Sequence, residues 1–554
     1  MPMREGYTGL TDKIGEEYEK DLCNKLIRNF EKKRGDRGTL DAHCQEIAAR
    51  IVPMQKRLWE SWGYKQVSGE KLNQEVLDST GTSALNKFVS ILDSLLTPRN
   101  AFWHQLRPSN NPLLLKDKNT MDYFTQVNTI LFEQRYNPKA NFAGQNQGVY
   151  LSLGAYGTGA LFIDDLAGER GLRYRNCHLS EVYPQENHQG LIDGCDRYFC
   201  LTARQASIMF GDNCPKVIQE KCASDPEFPY YFIHVVIPRT DRDPERKDFK
   251  GMQYASYYIS MEGKQIVAEG GYNTFPYSIP RYNQVSPDVY GRSIAMDVLP
   301  AIKTLNKQKE LVLKQGQLAV DPVILLHDDG IMDGASIESG THLAGAVSAD
   351  GRPLAQTLPF GRVDIGKDLM DDERLDIKDA FLLTIFQILV ETPEMTATEA
   401  IERAKEKSII LTPPIGRLQS EYLGGVVPRE IDILSRQGQL PPMPRFLRDA
   451  QGEYEIVYDS PITRSQKSEW VAGTLRSADY ALNLAAQMQD PSYLDYFNWH
   501  EIIPQAALIQ GTPSTWMNTP EQVAQIRAGR AKQQQVQQTI DAAPAAAGIL
   551  KAIK

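Results

Sequence analysis

Cysteine is scarce. Seven are scattered over 554 residues, an odd number with no regular spacing, so a disulfide framework is not expected and a reducing compartment fits. Four residues separate Cys195 from Cys200 and seven separate Cys214 from Cys222, while Cys177-His178 stands alone. None of these is a zinc knuckle. Long apolar runs are missing too, so no membrane span is expected. The opening MPMREGYTGLTDKIGEEYEK has no apolar core, and a secretory leader is not expected either. Positive charge is not in excess. Lys and Arg number 61 against 70 Asp and Glu, for a net charge of −9, which argues against a dedicated nucleic-acid binder. No GxSxG or Cys/His pattern occurs. The acid pairs Asp164-Asp165, Asp328-Asp329 and Asp371-Asp372 are adjacent rather than on one helix face, and read as turns and helix starts. His104 beside Trp103 and His500 beside Trp499 read as packed or surface histidines. The nearest approach to an enzymatic motif is Gly361-Arg-Val-Asp-Ile-Gly-Lys367-Asp368. It follows the phosphate-loop pattern GxxxxGK, but Asp368 stands where Ser or Thr would hold magnesium. Asp364 would also repel phosphate. Chance is the better reading, with Lys367 just inside a helix. No catalytic residue, cofactor or metal site is expected.

What is present is ordinary in bulk, with 42% hydrophobic and 24% charged residues, in a chain long enough for two or more cores. Amphipathic helices are predicted over 16–34 and 42–51, with Gly35-Asp-Arg-Gly between them and Pro53 as a stop. Others follow over 82–96, 120–133 and 143–153, with a strand near 102–106. Gly154, Gly157 and Gly159 mark a sharp turn into a strand at 160–164. Their spacing, GxxGxG without a strand-to-helix order, points to turn geometry rather than phosphate binding. From 172 to 279 short alternating runs predict strands, with Met261-Glu-Gly-Lys264 as a hairpin turn. The aromatics there read as sheet packing. Strand 453–458 and a mainly helical segment from 463 close the chain, with Thr519-Pro-Glu-Gln522 as a helix start.

The chain is organised around residues 366–407. A long helix is predicted over 366–390, with Asp368, Asp371, Asp372 and Glu373 in its opening turns, where the helix dipole favours acids. From Ala380 to Val390 nearly every residue is apolar, which implies burial on all sides. Glu391, Thr392, Pro393, Glu394 and Met395 then break the helix. Thr396-Ala-Thr-Glu399 starts the next one as a capping box. Pro413-Pro414 breaks or kinks that helix before it resumes at 417–423. Upstream, a helix is predicted from Pro300, as a first-turn proline, to Gln317. Lys303, Lys307 and Lys314 share one face of it, Ile302, Leu305, Val312 and Leu313 cluster elsewhere, and Lys309 falls outside the lysine face. Such a face is either solvated or a contact for anions.

Several stretches resemble one family. They are Gly81-Thr-Ser-Ala-Leu through Leu96-Thr-Pro to Phe102-Trp103, Ala155-Tyr-Gly-Thr-Gly-Ala-Leu-Phe162, Asp288-Val-Tyr-Gly-Arg292 followed by Pro300 and a helix, and the segment from Glu391 to Arg403. In this order they resemble the portal, or head-to-tail connector, proteins of short-tailed, T7-like bacteriophages. The resemblance covers most of the chain. It implies a multi-domain α+β portal fold assembling as a ring: a wing over 1–290, a first stem helix over 291–317, a β-rich clip over 318–365, and a second stem helix over 366–390. A tunnel loop over 391–396, a return to the wing over 397–465, a helical crown over 466–540 and a flexible tail over 541–554 complete it. It also implies a homo-oligomer, expected as a dodecamer, at one capsid vertex of the virion, assembled in the host cytoplasm. Double-stranded DNA would pass through its channel. The terminase large subunit, a tail adaptor, scaffolding and major capsid proteins and internal core proteins would be its partners, with no membrane involved. Lys303, Lys307 and Lys314 would then face DNA, and Glu391 to Met395 would approach it. The modest acidity suits such a channel, since a strongly basic wall would hold the phosphates. A nucleotide-binding enzyme using 361–368 and a tail adaptor are the alternatives.

Overall fold

The computed structural model describes residues 13–60, 71–99, 101–109, 114, 117–166, 168–320, 324–326, 347–348, 350–353, 355–357, 363–383, 413–449, 453–458, 461–488, 490, 492, 495–509, 518 and 522–533. It divides into two units, Met1–Tyr458 and Asp459–Lys554. Both helix and sheet are present, and the class is α+β.

The first unit opens with helices α1 (Lys13–Asp36), α2 (Gly38–Arg50), α3 (Lys56–Glu60) and α4 (Thr80–Leu96). Strand β1 (His104–Pro108), α5 (Lys118–Arg135), α6 (Phe142–Tyr156), β2 (Leu161–Asp165) and β3 (Leu172–Asn176) follow. Then come β4 (Val182–Glu186), β5 (Ile192–Thr202), α7 (Ala203–Phe210), α8 (Lys216–Ser224), β6 (Pro229–Pro238), β7 (Tyr254–Ser260), β8 (Gln265–Tyr272) and β9 (Tyr277–Ser278). Strands β4 to β8 form one antiparallel meander in sequence order. Helix α1 places Cys23, Leu26, Ile27 and Phe30, spaced for one helical face, against Tyr198, Ile233, Val235, Tyr257 and Ile259. The alternate residues Phe199, Phe232 and Tyr258 point to the other face, where Ala206, Phe210 and Ile218 of α7 and α8 cover them. The period of two in the strands thus serves two helical layers. The aromatics pack as expected; Tyr198 and Tyr231 stack with centroids 5.1 Å apart.

The long helices α9 (Ile294–Val320) and α10 (Val363–Ala380) pack side by side, joined through the antiparallel pair β10 (Ile324–Leu326) and β11 (Ala355–Thr357). Beyond them lie α11 (Gly424–Arg436), α12 (Arg445–Asp449) and β12 (Tyr454–Tyr458), which pairs with β1 across the whole unit. The second unit contains α13 (Pro461–Met488) and α14 (Trp499–Ile509), with a further helical stretch over 522–533.

Several expectations need correction. Helix α9 begins at Ile294, not at Pro300, which lies inside it. Its start is set by Ser293, whose Oγ accepts from the Met296 N–H at 3.0 Å. Helix α10 spans Val363–Ala380 instead of running unbroken from 366 to 390. A turn follows at once, with Leu382 at a left-handed φ of 61°. Asp368, Asp371, Asp372 and Glu373 therefore lie past the first turn, beyond the reach of the dipole argument. Helices α7 and α8 interrupt a region read as strand-rich, with no helix foreseen in it. The signal was there in Thr202-Ala-Arg-Gln205, which forms a capping box in the structure. The expected resumption at 417–423 falls on a helix through 418 and a π-turn at Gln419–Leu423 that leads into α11, which the sequence reading missed.

Candidate functional site

The roots of the helix pair bring together stretches far apart in sequence. Gly157, in Ala155-Tyr-Gly-Thr-Gly, has φ +78°, and Gly291, in Asp288-Val-Tyr-Gly-Arg, packs directly onto it. A Cβ at either glycine would meet the other's backbone, so only glycine allows the two chains this close. The Gly291 N–H donates to Thr158 Oγ1 at 2.8 Å, and Ser293 Oγ donates to the Ala155 carbonyl at 2.8 Å. Nearby, Arg281 is buried and bound by Glu421 at 2.9 Å and by Glu186. Phe88 of α4 packs against Tyr282 and Phe381, with centroids 5.8 and 6.1 Å away. These residues form a packing hub under α9, and they assemble no reactive groups.

At least two turns further along the pair, the loop before α4 clamps both helices. Asp78 is buried and accepts from Arg374 of α10 at 2.7 Å and from Lys309 of α9 at 3.3 Å. The Thr80 N–H and hydroxyl complete its shell at 2.9 and 2.5 Å. Asn306 Oδ1 accepts from the backbone N–H groups of Leu77 and Asp78 at 3.0 and 2.9 Å. Burial opposes charge on Asp78, but hydrogen bonds from Thr80 and Arg374 outweigh it and hold the carboxyl well below its usual range. Sequence reading missed Asp78 and Arg374. It placed Lys309 off the lysine face, where the structure also has it.

Lys303, Lys307 and Lys314 are brought to one exposed face of α9. Each finds a carboxylate within the subunit. Lys303 meets Glu46 of α2 at 2.5 Å, while Lys307 and Lys314 share Glu310 at 2.9 and 2.6 Å. Hydrogen bonds from Lys314 and Lys307 bring Glu310 down to about 2. On α10, Asp368, Asp372 and Asp376 are exposed and form no ion pair with another described residue. Spaced by four, they make an acidic stripe.

The other expected features fall as follows. Glu391, Thr392, Pro393, Glu394 and Met395 lie outside the described residues, as do the Thr396 capping box and most of the apolar run to Val390. The phosphate-loop pattern does not make a loop at its lysine: from Val363 through Asp368 it is helix. All seven cysteines are free, and none is fully exposed. Among the described residues no group of His, Cys, Asp and Glu could hold a metal, and no helix is long and apolar enough to cross a membrane. His104 is packed against Trp103, with centroids 4.6 Å apart.

The helix pair is rooted in an α+β body by packing and ion pairs. The comparisons with known proteins show the family. The bacteriophage head to tail connecting protein family matches residues 23–517, and the chain belongs to that family. It is a viral head-to-tail connector. It is similar to the portal protein of Salmonella phage epsilon15, 26% identical over 541 residues and 94% of each chain. It is also similar to the probable portal protein of Bordetella phage BPP-1, 27% identical over 529 residues, 93% of this chain and 92% of that one. A chain from the virion of a native gene transfer agent particle is 11% identical and covers 73% of this chain and 99% of its own. Its TM-score of 0.29 is too low to carry an argument.

Proposed function

We propose that this protein is the portal subunit of a bacteriophage capsid, assembling as a dodecameric ring at one vertex. The observation that carries the reading is the helix pair α9–α10. Its chain continues at one end into the β10–β11 pair and is anchored at the other in the glycine hub and the Asp78 clamp. At 1.5 Å per residue, the 27 residues of α9 span about 40 Å, the length of a channel segment. In the ring this pair is the stem and residues 318–365 the clip, where the terminase large subunit docks first and the tail adaptor later. The helices after Tyr458 belong to the crown, facing the internal core proteins, while scaffolding and major capsid proteins surround the ring during assembly in the host cytoplasm. Double-stranded DNA passes inward and later outward through the channel. The protein does no chemistry; the packaging ATPase supplies the energy.

The first test is particle mass and rotational symmetry. Twelve copies of a 62.3 kDa chain give a ring of about 750 kDa with a central hole. A chain that stays monomeric at every concentration and with scaffolding protein present overturns the reading. Within it, Glu391 to Met395 form the tunnel loop at the narrowest point, where two acids discourage phosphate binding and Met395 offers a soft contact. Replacing Glu391 and Glu394 with lysine slows packaging severalfold in rings that still assemble. Unchanged packaging rates remove the loop from contact with DNA.

A further inference from the structure

The two flanks of the helix pair have opposite charge and lie on opposite edges. On a helical wheel, Lys303, Lys307 and Lys314 of α9 lie roughly opposite Leu305, Lys309 and Val312, the residues turned toward the body and α10. On α10, Asp368, Asp372 and Asp376 lie roughly opposite Gly366, Met370 and Ile377, the inward side. A Cβ at Gly366 would touch Val312 Cγ2 at 2.7 Å, which fixes the facing sides of the two helices. The pair is thus a two-helix ribbon with an aspartate edge and a lysine edge on which Glu310 bridges Lys307 and Lys314 within the subunit, leaving two lysines to one carboxylate there. Leu311 and Leu318 flank the lysines, and Leu369 and Leu375 flank the aspartates. These leucines are 52%, 43%, 50% and 53% exposed, so each edge carries apolar surface beside its charges; Leu313, also 52% exposed, lies off both edges.

We infer that the lysine edge of α9 packs against the aspartate edge of α10 in the next copy, with Lys307 opposite Asp372 as the central pair. The inference rests on the ring reading above. A heterologous contact requires two different, complementary surfaces on every subunit, and these two edges supply them. Rotation about a ring axis along the stem preserves height, so the level seen within one copy carries over to its neighbour. Reading up one helix and down the other from Val312 and Gly366 puts Lys307 level with residue 371, about 1.5 Å from Asp372 along the axis. Lys314 comes about one turn from Asp368. Lys303 remains with Glu46. The exposed leucines are covered in the same contact. Phosphate backbones could join the lysines beside Glu310 but would leave the aspartates and the four flanking leucines unmatched.

The test uses the full chain and follows ring formation by sedimentation and imaging. Lys307→Glu and Asp372→Lys each raise the concentration for half assembly about threefold to tenfold. The double reversal returns it to near the starting value. As a second readout, Lys307→Cys with Asp372→Cys gives a ladder of cross-linked copies under mild oxidation, since the two positions lie on opposite edges of one copy. Rings that ignore both single reversals, or a double variant no better than the sum of the singles, overturn the contact. So does the absence of a ladder. Unchanged assembly with weaker DNA retention in Lys307→Glu turns the lysines toward phosphates instead. If the unmodified chain forms no ring under any condition, the portal reading itself falls and takes this contact with it.

Discussion

His178 and His234 are enclosed in the first unit, where a positive charge is disfavoured. His178 Nδ1 shares a hydrogen bond with Ser180 Oγ at 2.8 Å, and its ring packs edge-on to Trp59 and Tyr156. His234 stacks on Tyr258 at 4.1 Å and hydrogen-bonds to Tyr277 and Ser256 at 2.8 and 2.9 Å. Burial first, and then Arg37 for His178 or Arg197 for His234, pushes each imidazole down to about 3. The unfolded chain takes up these protons near pH 6.5 and the folded chain only near 3. Stability is therefore complete above about pH 6.5 and falls with acidification through that window. The expected loss is about 2 kcal/mol per histidine by pH 5. In denaturant titrations between pH 7 and 5, His234→Gln should flatten the acid slope by about one proton's worth. An unaltered slope places the acid sensitivity elsewhere. None of this was legible in the sequence, because the local pattern around a histidine does not reveal which residues will enclose it.

The Asp78 clamp ties α9 and α10 to the loop before α4 through Lys309 and Arg374. Asp78→Ala leaves Arg374 and Lys309 without their shared carboxylate and removes the Thr80 hydrogen bonds. Asp78 is buried but Arg374 and Lys309 keep 27% and 32% of their side chains exposed, so the expected cost is about 1–2 kcal/mol, concentrated where α9 and α10 meet the loop before α4. Hydrogen exchange within α10 should speed up by at least tenfold while the β4–β8 meander keeps its protection. Uniform protection across both would deny the clamp an anchoring role. At this scale the sequence was informative in part. The lysine face of α9 came directly from spacing. The start of α9 did not, because Pro300 looked like a first-turn proline while Ser293, the residue that caps the helix, went unread. The aspartates of α10 were legible as acids. Their stripe was legible too, since Asp368, Asp372 and Asp376 lie four apart within the predicted helix over 366–390, but that spacing went unread.

Across the whole molecule, local patterns named strands 102–106 and 453–458 separately, but nothing in them announced that they pair. The structure joins His104 to Tyr458 and Pro108 to Tyr454 in one antiparallel ladder. The same region buries Arg135 and Glu430 in an ion pair at 2.5 Å, with Tyr174 also bonded to Glu430. Such pairings between distant stretches depend on the three-dimensional path of the chain, which periodicity does not encode. They also set where the chain can be cut. Ending it after Tyr458 retains β12 and should leave the first unit folded, with its main unfolding transition unchanged. Ending it after Asp449 removes β12, turns β1 into an open edge and uncovers Leu106, which is 3% exposed in the full chain. The lost ladder bonds and apolar cover amount to on the order of 5 kcal/mol, comparable to the net stability of a typical domain. The shorter chain should therefore aggregate or unfold in far less denaturant, and calorimetry of the two truncations side by side measures the difference. Equal stability would mean that β12 only decorates the edge of β1, and that the first unit is complete without the strand that returns to it.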